Sequence, residues 1–150
     1  MNQNQISILK RIVNNPYPQL RGCIIDNLGR YCFCEAYRIA KLNEAPPELF
    51  YNPPSFSLLR NDSLDRLWYQ YVCDKDGQRV YPVAADVREC ARKKVPYIFE
   101  GTDVKVAPGY LYDMMRIFPK AQVFVGSIEP RLKAIRFRSP QGVGYLLPLR

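Results

Sequence analysis

Hydrophobic and polar positions along this chain fall into short segments with two different periods. Residues 102–106 alternate in steps of two, as a strand does, until Ala107-Pro108-Gly109 breaks the run. Tyr110, Leu111, Met114, Met115, Ile117 and Phe118 follow at helical spacing, and Pro119 stops that helix. Residues 122–128 and 132–138 alternate again, and Pro140-Gln141-Gly142 predicts a turn. Tyr145-Leu146-Leu147-Pro148-Leu149-Arg150 closes the chain as an apolar strand. The predicted order here is strand, helix, strand, strand, strand.

The N-terminal part opens with a helix. Residues 5–13 place Ile6, Leu9, Ile12 and Val13 on one apolar stripe with Lys10 and Arg11 off it. Asn14-Asn15-Pro16 ends the helix and Pro18 extends the break. Residues 20–26 predict a strand, and 31–42 a second strand with an irregularity near Glu35-Ala36. Asp26-Asn27-Leu28-Gly29 lies between them as a hairpin turn, because Asn and Gly accept positive φ.

The middle is more mixed. Ala45-Pro46-Pro47-Glu48 and Asn52-Pro53-Pro54 read as an extended, proline-rich connection. Asn61-Asp62-Ser63 offers an N-cap to a helix carrying Leu64, Leu67, Trp68, Tyr71 and Val72. A hairpin of 68–73 with 78–83 across Asp76-Gly77 competes with that helix. Residues 84–94 predict another helix, with Val87, Cys90 and Ala91 inward and Arg88, Arg92, Lys93 and Lys94 outward; 95–100 return to strand.

Composition adds bounds. A chain of 150 residues is most simply one domain, able to bury roughly 70% of its unfolded surface. No apolar run approaches the roughly 18 residues a membrane helix needs, and Met1-Asn2-Gln3-Asn4-Gln5 is unlike a signal peptide. A cytoplasmic protein with no membrane partner is the expectation. The five cysteines, Cys23, Cys32, Cys34, Cys73 and Cys90, follow no disulfide framework, which agrees with a reducing compartment. Cys32 and Cys34 fall on one face of a strand. With no histidine and no second close pair, buried small hydrophobes are favoured over a metal site.

The formal charge of +8 points to acidic partners, nucleic acid first. After Glu129 there is no carboxylate, while Arg131, Lys133, Arg136, Arg138 and Arg150 remain. Period two puts Leu132, Arg136 and Arg138 on one face of their strand, and a solvated, edge-protecting strand is the plain expectation. Catalytic devices are scarce. Without histidine there is no imidazole base, and Gly142-x-Gly144 does not lead into a helix as a phosphate loop would. The cysteines have no adjacent base, and no carboxylates stand at metal-ligand spacing. A non-enzyme without cofactor or metal is expected.

Several segments resemble the bacterial DNA polymerase III beta subunit, the sliding clamp. Tyr110-Leu111-Tyr112-Asp113-Met114-Met115 is similar to that family's YLLDAL helix start, and the terminal Tyr145 to Arg150 to its MPMR ending. Pro18-Gln19-Leu20-Arg21-Gly22-Cys23-Ile24-Ile25 resembles the family's RPVLNGVLIE strand. Tyr37-Arg38-Ile39-Ala40 fits the YRLA of its TDGYRLA turn and strand, while Cys34-Glu35-Ala36 stands where the family has Thr-Asp-Gly, so the turn chemistry differs.

The resemblance implies an α+β, DNA clamp-like fold. Two similar helix-plus-antiparallel-strand halves, about 1–45 and 96–150, would form a single clamp-like domain over 1–150, with a helical insertion at about 46–95. The helices at 5–13 and 108–118 would then lie side by side on one face. It implies a non-catalytic replication accessory protein that encircles double-stranded DNA without reading sequence. Lys10, Arg11, Arg116 and Lys120 take the positions of the cations that meet phosphates. Tyr37, Arg38, Ile39, Leu147, Pro148 and Leu149 take those of the pocket that captures clamp-binding motifs of replication and repair proteins. In the family the two groups of pocket residues come from neighbouring domains, whereas here one domain holds both. A ring would require a homo-oligomer. Two other readings stay open: an interaction module with a clamp fold that does not encircle DNA, and a basic nucleic-acid-binding protein of unrelated fold.

Overall fold

The structure is a computed structural model that describes residues 1–14, 23–26, 28–35, 37–45, 49, 59–72, 77–129 and 132–150. The proline-rich connection, the start of the strand at 20–26 and the turn at Asp74-Lys75-Asp76 lie outside the described residues. Helix α1 (Gln3–Val13) begins two residues before its expected start because Asn2 caps it. The Asn2 side chain accepts from Gln5 N at 2.9 Å, and the Gln5 side chain accepts from Asn2 N at 2.8 Å.

Strands β1 (Cys23–Ile25) and β2 (Tyr31–Glu35) form the expected hairpin. The Asp26 carboxylate accepts from the N–H groups of Leu28 and Arg30, both at 2.9 Å, and Gly29 takes a φ of 77°. The single strand expected over 31–42 is instead two. The chain reverses after Glu35, and β3 (Arg38–Leu42) pairs back on β2 with Glu35 opposite Arg38. All five residues of β3 are buried. The irregularity expected near Glu35 marks the place, but a strand covered on both faces shows no hydrophobic alternation, so the pattern does not set β3 apart as a strand of its own.

Helix α2 (Leu59–Tyr71) supports the helical reading of that region over the hairpin, and the residues expected to cap it lie within it. Then come β4 (Gln78–Val80), α3 (Ala84–Lys93), and a separate two-stranded hairpin of β5 (Tyr97–Ile98) and β6 (Lys105–Val106). The C-terminal part runs α4 (Pro108–Ile117), β7 (Gln122–Glu129), β8 (Leu132–Ser139) and β9 (Gly142–Leu146). Strand, helix and three strands follow in the predicted order. No helix of the described residues is long and apolar enough to cross a membrane.

Seven strands make one antiparallel sheet in the order β1-β2-β3-β9-β8-β7-β4. Pairing of β3 with β9 welds the N-terminal hairpin to the C-terminal meander. Strand β8 therefore lies inside the sheet and not at an edge, contrary to the reading of its basic side as solvated. Arg136 is buried, because α2 covers that face.

The two faces carry different helices. Phe33, Ala40, Phe137 and Val123 share a cross-strand row with Gly144 and join the core under α1, α3 and α4. On the opposite face Phe124, Val143 and Tyr145 pack with Trp68 of α2 and with Val72 just past its end. Glycine permits the close approach on each side. A Cβ on Gly144 would stand 2.5 Å from the Phe118 ring, and one on Gly126 2.7 Å from Val72. Helices α1 and α4 lie side by side on one face, joined where buried Gln5 donates its Nε2 to the carbonyl of Ile117 at 3.2 Å. That bond satisfies one of the open carbonyls at the end of α4.

A buried polar knot ties α2 to the sheet. The Asp65 carboxylate accepts from Lys41 Nζ at 2.8 Å, from Tyr145 Oη at 2.6 Å and from Arg30, which also binds Asp26. Burial pushes the Asp65 carboxyl up, but bonds from Lys41, Tyr145 and Arg30 outweigh it and hold it below its ordinary 3.8. Asp26 is likewise held low, its partners on Arg30 and Leu28 overcoming burial. Carboxyls held low in the folded state stabilise the fold above about pH 4, and that stability is lost as pH falls through the folded values. Urea unfolding is accordingly expected to show a loss of stability as pH falls below about 4. Asp65→Asn should be less stable at neutral pH and show a shallower acid limb; an acid limb unchanged by this substitution would contradict the knot.

Candidate functional site

Helices α1 and α4 lie over one face of the sheet, and α3 packs against α4. Helix α1 turns Ile8, Leu9 and Ile12 into the core, which leaves Lys10 and Arg11 exposed in its last turn. Arg116 is half-buried in the last turn of α4, and Lys120 is exposed just beyond it with a φ of 61°. All four predicted phosphate-contacting cations thus belong to this helix layer or the turn that follows it. Their placement also favours the helices themselves, since cations sit well at the negative C-terminal end of a helix. The outward set predicted on α3, Arg88, Arg92, Lys93 and Lys94, is exposed as expected.

Arg11 is not a free charge. Its Nη2 lies 3.1 Å from Asp113 of α4, and the same carboxylate accepts from Arg38 Nη1 at 2.9 Å. Arg38 also donates through Nε to Glu35 at 2.7 Å, and its guanidinium lies 4.5 Å from the centre of the Tyr110 ring. Tyr110 in turn stacks on Tyr37, with ring centres 6.2 Å apart. A chain of contacts therefore runs from Tyr37 at the chain reversal to Arg11 on the helix layer.

The predicted peptide-binding residues divide. Tyr37, Leu147, Pro148 and Leu149 line one open groove of about 940 Å³ together with Val104 and Leu132, and Asp103, Lys133 and Arg150 add charge. Two backbone bonds hold the terminal segment there: Leu147 N donates to Tyr37 O and Leu149 N to Lys105 O, each at 2.8 Å. Arg38 and Ile39 are not in the groove. Both are buried, Arg38 on the side of α4 and Ile39 in the row of Tyr145 on the side of α2. Successive strand residues point to opposite faces, so three in a row cannot line one pocket. Val104 and Leu132 come from elements far apart in the chain, and no local pattern marks them as groove residues.

Cys32 and Cys34 do share a face of β2, Cys32 buried and Cys34 partly so. Burial, with Glu35 beside it, pushes the Cys34 thiol up to about 11. It is protonated at neutral pH and a poor nucleophile or ligand as it stands. The Tyr145 phenol is also pushed up, by burial and the neighbouring Asp65 charge. Comparison with protein-family models, curated proteins and solved structures finds no match.

Arg38 and Arg11 separate a buried ion pair from a surface one. Replacing Arg38, 4% exposed, by Met strands the Glu35 carboxylate, 9% exposed, and leaves Asp113, 10% exposed, with the surface Arg11 alone; the expected cost is about 3–5 kcal/mol in denaturant unfolding. Arg11→Ala removes a side chain that is 58% exposed and is expected to cost about 1 kcal/mol or less.

Proposed function

We propose that this chain is a sliding-clamp-like replication accessory protein with no catalytic activity, binding double-stranded DNA through its helix layer and partner proteins at its terminal groove. One observation carries the reading. Helix α1 followed by β1, β2 and β3, and helix α4 followed by β7, β8 and β9, are the same unit twice; they meet at the β3–β9 pair with their helices side by side. This supports a DNA clamp-like arrangement of two similar halves, about 1–45 and 96–150, around an inserted segment at 46–95.

The helix layer offers what sequence-independent DNA contact needs: positive charge on a rigid support, with no requirement for base-edge donors. Lys10, Arg116 and Lys120 have no carboxylate partner among the described residues, and Arg11 shares Asp113 with Arg38. The groove offers aliphatic walls from Leu147, Leu149 and Val104 with an aromatic rim from Tyr37. Its presence favours a second reading, an interaction module with this fold that docks proteins without encircling DNA.

Titrating a labelled duplex of arbitrary sequence at rising salt tests the first reading. Binding is expected to be weak and steeply salt-dependent, and replacing Lys10, Arg11, Arg116 and Lys120 by Ala should flatten the slope by up to about 0.9 for each phosphate no longer neutralised. An unchanged slope would remove the DNA reading. The groove is tested with a peptide of the clamp-binding type, expected to bind at about micromolar strength, near −8 kcal/mol. Leu147→Asp should abolish that binding while circular dichroism and the melting transition stay those of the folded protein. If the variant unfolds, Leu147 belongs to the core and the groove is not a docking site.

A further inference from the structure

The cations of the helix layer differ in what they already hold. Arg92 and Lys93 both pair with Glu89, and Arg11 pairs with Asp113. Arg88 of α3 and Arg116 of α4 have no carboxylate partner among the described residues. Both instead converge on one aromatic ring. Their guanidinium carbons lie 5.9 Å and 5.4 Å from the centre of Tyr112 on α4. The ring attracts each cation through its face electrons, yet it compensates neither full charge and accepts none of their N–H donors in the plane of the fork. Two like charges from neighbouring packed helices thus stand beside one ring, each without a carboxylate partner among the described residues.

A charged oxyanion meets that need best, because the planar guanidinium matches phosphate geometry and pairs with it bidentately. The surroundings agree in sign: α1, α3 and α4 together carry six lysines and arginines against three carboxylates. We infer that Arg88 and Arg116 form a phosphate seat around Tyr112, through which the inserted helix α3 joins the duplex-binding surface and grips the DNA backbone. The inference rests on the reading of the helix layer as a DNA surface and extends it. Helix α3 lies in the segment between the two similar halves, and nothing in the repeated unit assigns it a contact. Seats fixed on packed helices suit the regular phosphate array of a duplex better than a flexible acidic chain.

The test is the duplex titration, by fluorescence anisotropy over rising salt, with the full chain and single substitutions. Arg88→Ala and Arg116→Ala are each expected to reduce the slope of log affinity against log salt by up to about 0.9. Arg88→Lys, which keeps the charge and loses the fork, should keep the slope and weaken binding several-fold. Arg66→Ala removes an exposed charge from α2 on the opposite face and reports the effect of net charge alone. If Arg116→Ala flattens the slope and Arg88→Ala behaves like Arg66→Ala, the seat is refuted and the DNA reading stands. If both behave like Arg66→Ala, only net charge acts and the seat is again refuted. If the unmodified chain binds polyglutamate or phosphatidylserine vesicles and no duplex, the DNA reading falls and the seat with it.

Discussion

Strand β3 carries two buried cations on opposite faces of the sheet, and the positions of the neighbouring helices follow from what those charges require. Arg38 is neutralised by Asp113 of α4 and by Glu35 across the hairpin; Lys41, fully buried, is neutralised by Asp65 of α2. A buried charge without a partner is costly enough to cancel much of a domain's stability. A shift of α4 along the sheet would part Arg38 from Asp113, and a shift of α2 would part Lys41 from Asp65. Apolar packing alone is less particular, since aliphatic cores tolerate repacking when volume is kept. The ion pairs therefore act as registration points, while the burial of Phe33, Leu111, Met114 and Trp68 supplies the driving force.

That arrangement divides the molecule's surfaces. On the side of α1, α3 and α4 the sheet is covered by helices whose outward positions are basic, with Arg11 held to Asp113 and Arg88 and Arg116 gathered at Tyr112. On the other side α2 closes over Tyr145, Arg136 and Phe124, using the Asp65 knot and the bond from Arg136 to Tyr69 at 2.9 Å. The terminal groove opens beside the reversal that precedes β3. Tyr37 lines it and stacks on Tyr110, which lies under the Arg38 guanidinium, so the groove wall and the helix layer share one set of contacts.

Segments with a strong local signal were legible without coordinates. The helix at α1 shows its apolar stripe, α4 its stripe bounded by Pro108 and Pro119, and β7 and β8 their alternation. The outward cations of α1 and α3 followed directly from those stripes. The reversal between β2 and β3 showed only as an irregularity near Glu35 and as a turn implied there by the resemblance, because burial on both faces erases the alternation that would have set β3 apart. Arg38 and Ile39 were expected in the groove from the resemblance alone, and the alternation of strand faces turns them to opposite sides of the sheet instead. The strand at β8 was misread as an edge because its arginines look solvated in sequence, whereas cation–π contacts with Trp68 and Tyr69 accommodate Arg136 beneath α2.

What the sequence determined by itself, then, is local: the periods of its helices and strands, the turn at Asp26 to Gly29, a surplus of positive charge and the absence of histidine chemistry. These depend on neighbours within a few positions, where propensity and spacing act directly. The tertiary structure alone decided which strands pair, which face each helix covers, and which charges meet. Arg38 and Asp113 are 75 positions apart, and Asp65 and Tyr145 are 80. Pairings at that separation leave no periodic trace in the chain, because they are fixed by how whole elements pack and by the need of each buried charge for a partner.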